Sequence, residues 1–181
     1  MPIKKILTED RINALAKTIH QMNVDKGFWD SGSRDFQQIT MLNLTEISEA
    51  LESHRKGEQA IFIEDGKPEG WVVEIADCAI RILDTIGGID KVNFNFKCSD
   101  PIIQFLYDTT EMIFMASKQC IQETPSRKIF QDNKDLFLTN LKSTLYVIDT
   151  ELEERGFNLT KVIEQKLEYN KTRSQKHGKQ F

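Results

Sequence analysis

The stretch VVEIADCAIRILDTIGG at positions 72–88 limits the fold more than any other part of the chain. Read as a helix that starts near Pro68 and closes at the Gly87–Gly88 pair, it spreads Val72, Val73, Ile75, Ala76, Ala79, Ile80, Ile82, Leu83 and Ile86 over most of its circumference. Such a helix folds only where other elements cover most of its sides. Apolar residues at helical spacing recur along the rest of the chain. Thr8 before Glu9 and Asp10 reads as an N-cap with a dipole-friendly first turn, followed by Ile12, Leu15, Ala16, Ile19 and Met22. GFWDSGSRD then breaks the pattern. A second helix runs from about Asp35 to Lys56, and GEQAIFIEDGK after it reads as a loop, with no convincing alternating hairpin. Asp100–Pro101 opens a fourth helix. A fifth, from about Asn133 to Arg155, carries Leu138, Leu141, Leu145, Ile148 and Leu152, and a sixth begins around Thr160. The expectation is an all-α bundle of about six helices.

The 181 residues, 39% of them hydrophobic, suffice for one sizeable core and fall short of two, so residues 1–181 are read as a single domain. No apolar run reaches the roughly 20 residues needed to span a bilayer, and MPIKKILTEDR lacks the features of a signal peptide. A soluble, cytoplasmic protein with no membrane partner is expected. Cys78, Cys98 and Cys120 are odd in number and widely spaced, which indicates neither a disulfide framework nor a zinc knuckle. The net charge of -4 argues against stable nucleic-acid binding. Five basic residues against Glu168 alone between Lys166 and Lys179 nevertheless make a positive end on a negative body.

Acidic residues three apart occur six times, so the spacing alone says little. Direction separates the pairs, because each residue advances about 100° around a helix. Asp108/Glu111 and Glu151/Glu154 point away from their apolar stripes, Asp132/Asp135 sit near a helix start, and Glu52 of Glu49/Glu52 turns off the seam. Glu46 and Glu49 fall within the arc marked by Ile39 and Leu42, which faces the bundle. Glu74 and Asp77 share a narrow polar stripe with Arg81 and Asp84, which reads equally well as the wet side that an amphipathic helix needs. Brought together, four carboxylates about 4 Å apart would repel by about 1 kcal/mol per pair in water and about 4 kcal/mol at an effective dielectric near 20. They must then take up protons or hold cations. All-oxygen donors favour Mg²⁺ or Mn²⁺, and none of His20, His54 or His177 supplies the Glu-x-x-His of a di-iron bundle. On the last helix Lys166, Asn170 and Arg173 stand at i, i+4 and i+7, a strip able to grip phosphate oxygens or simply to stay solvated.

LTEISEALE, EIADCAIRILDTIGGID and IEQKLEYNKTRSQKHGKQF, in that order, resemble the MazG-like all-α nucleoside triphosphate pyrophosphohydrolases, whose signature is a Glu-x-x-Glu helix followed by a Glu-x-x-Asp helix. The resemblance covers roughly residues 27–90 and 152–181, and GFWD fits it too. It implies that Glu46, Glu49, Glu74 and Asp77 ligate Mg²⁺, with Mn²⁺ as a substitute, and that Lys166, Asn170 and Arg173 hold the triphosphate. The implied reaction is hydrolysis of a nucleoside triphosphate to the monophosphate and pyrophosphate, with Glu49 orienting or deprotonating the attacking water, in a homodimer. Trp29 is a candidate for stacking on the base, or else a hydrophobic plug. Arg81 orients a metal ligand or balances the acidic stripe, and His177 and Lys179 reach the phosphates or trail in solvent. A helical insertion at about 91–151, read as packing or as a degenerate second copy of the helix pair, departs from the family. A non-catalytic nucleotide sensor and a helical interaction protein are the alternatives.

Overall fold

Thr8 caps the first helix, its side chain accepting from the Arg11 amide at 3.2 Å, and α1 (Glu9–Asp25) follows with Ile12, Leu15, Ala16 and Ile19 buried along one face. The computed structural model describes residues 7–94, Tyr107 and 134–173. The expected fourth helix, Cys98, Cys120, Asp108/Glu111, Asp132, His177 and Lys179 lie outside the described residues. After the turns of 26–33 come a two-residue strand β1 (Arg34–Asp35) and α2 (Phe36–Arg55). A hairpin of β2 (Phe62–Glu64) and β3 (Lys67–Glu69) leads into α3 (Trp71–Gly87). A 3₁₀ turn (Ile89–Lys91) and β4 (Val92–Asn93) close this half, β4 pairing in parallel with β1. α4 (Lys134–Glu154) and α5 (Leu159–Lys171) complete the described bundle, which is all-α in class with five helices among the described residues.

α3 is the hub. It packs against α1, α2, α4 and α5, and twelve of its residues are buried. That follows from its apolar circumference: Val72, Val73, Ala76, Ala79 and Leu83 are wholly shielded from solvent. α4 adds Leu145 and Leu152 to the core, so this part of the expected insertion packs on α3. Glu151 and Glu154 lie exposed, as their direction required. α1 approaches the end of α3 so closely that a Cβ at Gly87 would stand 2.5 Å from the Ala16 carbonyl oxygen.

Two expectations need correction. GEQAIFIEDGK is not a plain loop: Ile63 faces Pro68 across a two-residue turn in which Asp65 (φ 49°) and Gly66 (φ 80°) both adopt left-handed backbone. Asp-Gly is the pair suited to such a turn. Pro68 does not open α3, because it belongs to β3. The helix starts instead after Gly70, whose φ of 110° and close approach to Ala60 exclude a side chain, a Cβ there falling 2.5 Å from the Ala60 oxygen. Among the described residues no helix is long and apolar enough to cross a membrane.

Candidate metal and anion cleft

Glu46 sits on the inner face of α2 and is 5% exposed. Glu74 and Asp77, one turn apart on α3, face it across the α2–α3 contact. One carboxylate oxygen from each of the three lies within 4.8 Å of the others. Three of the four expected acids therefore converge. Glu49, 300° further round α2 than Glu46, is exposed and stands on the rim of the same cleft. The stripe on α3 is accordingly more than a wet side: Glu74 and Asp84 are buried, and Asp77 is mostly so.

The protein supplies its own cations to two of these acids. Arg81 places both Nε and Nη2 2.6 Å from Glu46 Oε1, and the Lys166 ammonium, 3% exposed, stands 2.8 Å from Asp77 Oδ2. Among the described residues Glu74 has no such partner. Burial first, then the charge of Asp77, pushes its pKa up to about 7; Lys166 opposes this, while Glu49 and Glu46 add to it. Asp77 is also raised, chiefly by burial, against the pull of Lys166. Burial works against the Lys67 ammonium, but its bond to Glu69 and the charges of Glu69, Glu74 and Asp77 hold its pKa above the usual lysine value. Beside the acids, Cys78 is a buried thiol raised to about 11, mainly by desolvation, and donates to Asn43 Oδ1 at 3.6 Å.

The donor set fits a hard divalent ion. Octahedral coordination at about 2.1 Å puts ligand oxygens about 3.0 Å apart when adjacent and about 4.2 Å when opposite. Separations of up to 4.8 Å lie above that range, so the three side chains would draw together around an ion. Oxygen donors on both helices suit Mg²⁺ or Mn²⁺ better than zinc, and an ion there would compete with Lys166 for Asp77.

The phosphate strip of the last helix reaches the same cleft: Lys166, Asn170 and Arg173 all line it. Lys166 is spent on Asp77, and the buried Asn170 Oδ1 has no hydrogen-bond partner among the described residues. Lys26, at the end of α1, donates to the carbonyls of Lys171 and Arg173 and so ties the end of α5 to the end of α1.

Trp29 does not line the cleft. It is 5% exposed, with its indole N–H donating to Asp84 at 3.1 and 3.2 Å and its ring edge-on to His20 at 4.8 Å, so it serves as the plug. His20 Nδ1 makes a second contact of 2.9 Å with Asp84. The aromatic ring that does line the cleft is Phe28. Arg34, Lys67 and Asp84 are cleft residues that sequence reasoning did not assign. Their only signal was position, Arg34 just after GFWDSGS and Asp84 one helical turn beyond Arg81. Compared with protein-family models, with curated proteins and with solved structures, the chain gives no match.

Proposed function

We propose that this chain is a Mg²⁺-dependent nucleoside triphosphate pyrophosphohydrolase of the MazG-like kind. The observation that carries the reading is the convergence of Glu46, Glu74 and Asp77, two of which, Glu46 and Asp77, line a cleft that the basic end of α5 also lines. Glu46, Glu74 and Asp77 hold the metal, with Glu49 completing the set from the rim. Bound there, Mg²⁺ supplies a water of lowered pKa and neutralises phosphate charge. Glu49, exposed and adjacent to the buried acids, orients or deprotonates the attacking water. Arg173 and Asn170 bind phosphate oxygens, and Lys166 moves from Asp77 toward substrate or stays to fix that carboxylate. A cytoplasmic location is part of the same proposal. Ile47 and Leu51, neighbours on one face of α2 and 48% and 58% exposed, offer a surface that a second copy would cover in a homodimer.

A second reading has an observation of its own. Of the four acids, Glu46 is paired with Arg81 and Asp77 with Lys166, while Glu74 and the exposed Glu49 have no ion-pair partner among the described residues, an arrangement equally suited to a non-catalytic nucleotide sensor. Pyrophosphate release from ribo- and deoxyribonucleoside triphosphates, with and without Mg²⁺, separates the two. Metal-dependent release is expected. Nucleotide binding without turnover would replace the enzyme by the sensor.

A further inference from the structure

Among the described residues five cationic side chains line the cleft, and carboxylates engage them unequally. Arg81 is held by Glu46, Lys166 by Asp77 and Lys67 by Glu69. Among the described residues, no carboxylate lies within salt-bridge distance of Arg34 or Arg173. Arg34 is the more telling of the two. A guanidinium carries five N–H donors, yet among the described residues this one makes a single long hydrogen bond, 3.5 Å from Nε to Gln38 Oε1, and lies 5.5 Å over the Trp29 ring. Burial weakens its hold on the proton, with the Asp84 charge opposing and the Arg81 charge adding to the effect. Asp84 does not answer it directly: its oxygens accept from Trp29 and meet His20, and no hydrogen bond or ion pair joins it to Arg34. The fold holds Arg34 in place by pairing β1 with β4, Arg34 opposite Val92.

A desolvated, under-bonded guanidinium in a cleft calls for an acceptor with several oxygens. We infer that Arg34 and Arg173 form a two-arginine anion site that binds phosphoryl oxygens of a polyphosphate chain, making Arg34 a substrate-binding residue. The planar fork of arginine matches two phosphate oxygens at once, which lysine does not. Lys166, committed to Asp77, is thereby relieved of being the principal phosphate grip. The inference rests on the proposed function only in taking the polyphosphate to be that of a nucleoside triphosphate.

Two measurements on the full chain keep these apart. Titration calorimetry of inorganic triphosphate in EDTA reads the anion site without metal or turnover. Steady-state hydrolysis in Mg²⁺ reads it during the reaction. The variants are Arg34→Gln, Arg34→Lys and Arg173→Gln, each compared with the parent by circular dichroism. The expected result is binding of triphosphate that Arg34→Gln and Arg173→Gln each weaken at least about tenfold, with Arg34→Lys in between. Where hydrolysis is present, Arg34→Gln should raise KM by a similar factor with kcat within a few-fold. Arg34→Lys keeps the positive charge beside Trp29, so a loss of affinity in a folded Arg34→Lys assigns the effect to the guanidinium and not to charge alone. Triphosphate binding without hydrolysis by the parent would remove the proposed enzyme and keep the arginine pair. Hydrolysis with affinity and KM unchanged in Arg34→Gln, or no triphosphate binding by the parent, would overturn the pair.

Discussion

Glu74 offers a quantitative test of the acid cluster that needs neither substrate nor metal. Its carboxyl titrates near 7 in the folded protein against 4.5 for an ordinary glutamate. The folded state therefore holds this proton more tightly than the unfolded chain. As pH rises from about 4.5, the unfolded chain releases the proton first, so stability contributed below that pH is lost progressively until the folded group has titrated near 7. At about 1.4 kcal/mol per pH unit the loss has an upper bound of about 3 kcal/mol, reduced toward about 2 by water at the cleft mouth. Glu74→Gln removes the ionisation and keeps the shape. In EDTA the variant should match the parent below pH 4.5 and exceed its unfolding free energy by about 2 kcal/mol at pH 8. Urea denaturation at half-unit steps from pH 4.5 to 8.5 reads the difference directly. Asp149, also raised by burial and bonded to the Leu7 amide, contributes equally to both proteins and cancels. A difference that stays flat across this range would show that Glu74 is an ordinary solvated acid, and the argument for a compressed cluster would fail.

Three further outcomes are expected. Glu46→Gln or Asp77→Asn should lower pyrophosphate release at least about 100-fold with an unchanged helical spectrum, and normal turnover in either would remove that residue from the metal shell. Lys166→Met strands the Asp77 carboxylate and should cost about 3 kcal/mol at pH 8, and less toward acid pH, because burial already raises the Asp77 pKa and loss of the Lys166 charge raises it further; a cost that does not fall with pH, by urea denaturation, would discount the pair. Gly87→Ala drives a methyl into the α1 backbone and should destabilise by about 2 kcal/mol, so a thermal midpoint unmoved by it would contradict the α1–α3 approach.

The local parts of this design were readable from the sequence. Thr8, Gly87 and the apolar residues of α1, α2 and α3 announce their helices because caps and helical periods act over a few residues. Glu46 was legible as an acid on an apolar arc. Glu74 was ambiguous, since a polar stripe has the same spacing whether it meets water or another helix. The hairpin escaped notice because its strands are only three residues long and Pro68 read as a helix opener. Arg34 follows a Gly- and Ser-rich turn in a two-residue strand too short to show periodicity, and its place depends on Val92, far along the chain. Trp29, flanked by glycine-rich turns, resembled a stacking platform because nothing nearby in sequence reveals that its indole N–H finds Asp84.

The hub helix has a consequence for how this protein tolerates change. α3 carries the core residues Ala76, Ala79 and Leu83 and, interleaved with them, Glu74, Asp77, Arg81 and Asp84. A bulkier alanine replacement there would tilt the whole row of polar groups along with the packing, so robustness and reactivity cannot be tuned separately on this rod. Divergence toward other ligands has its freedom elsewhere, in the segments bearing Phe28, Arg34 and Arg173, which can vary while the axle stays fixed.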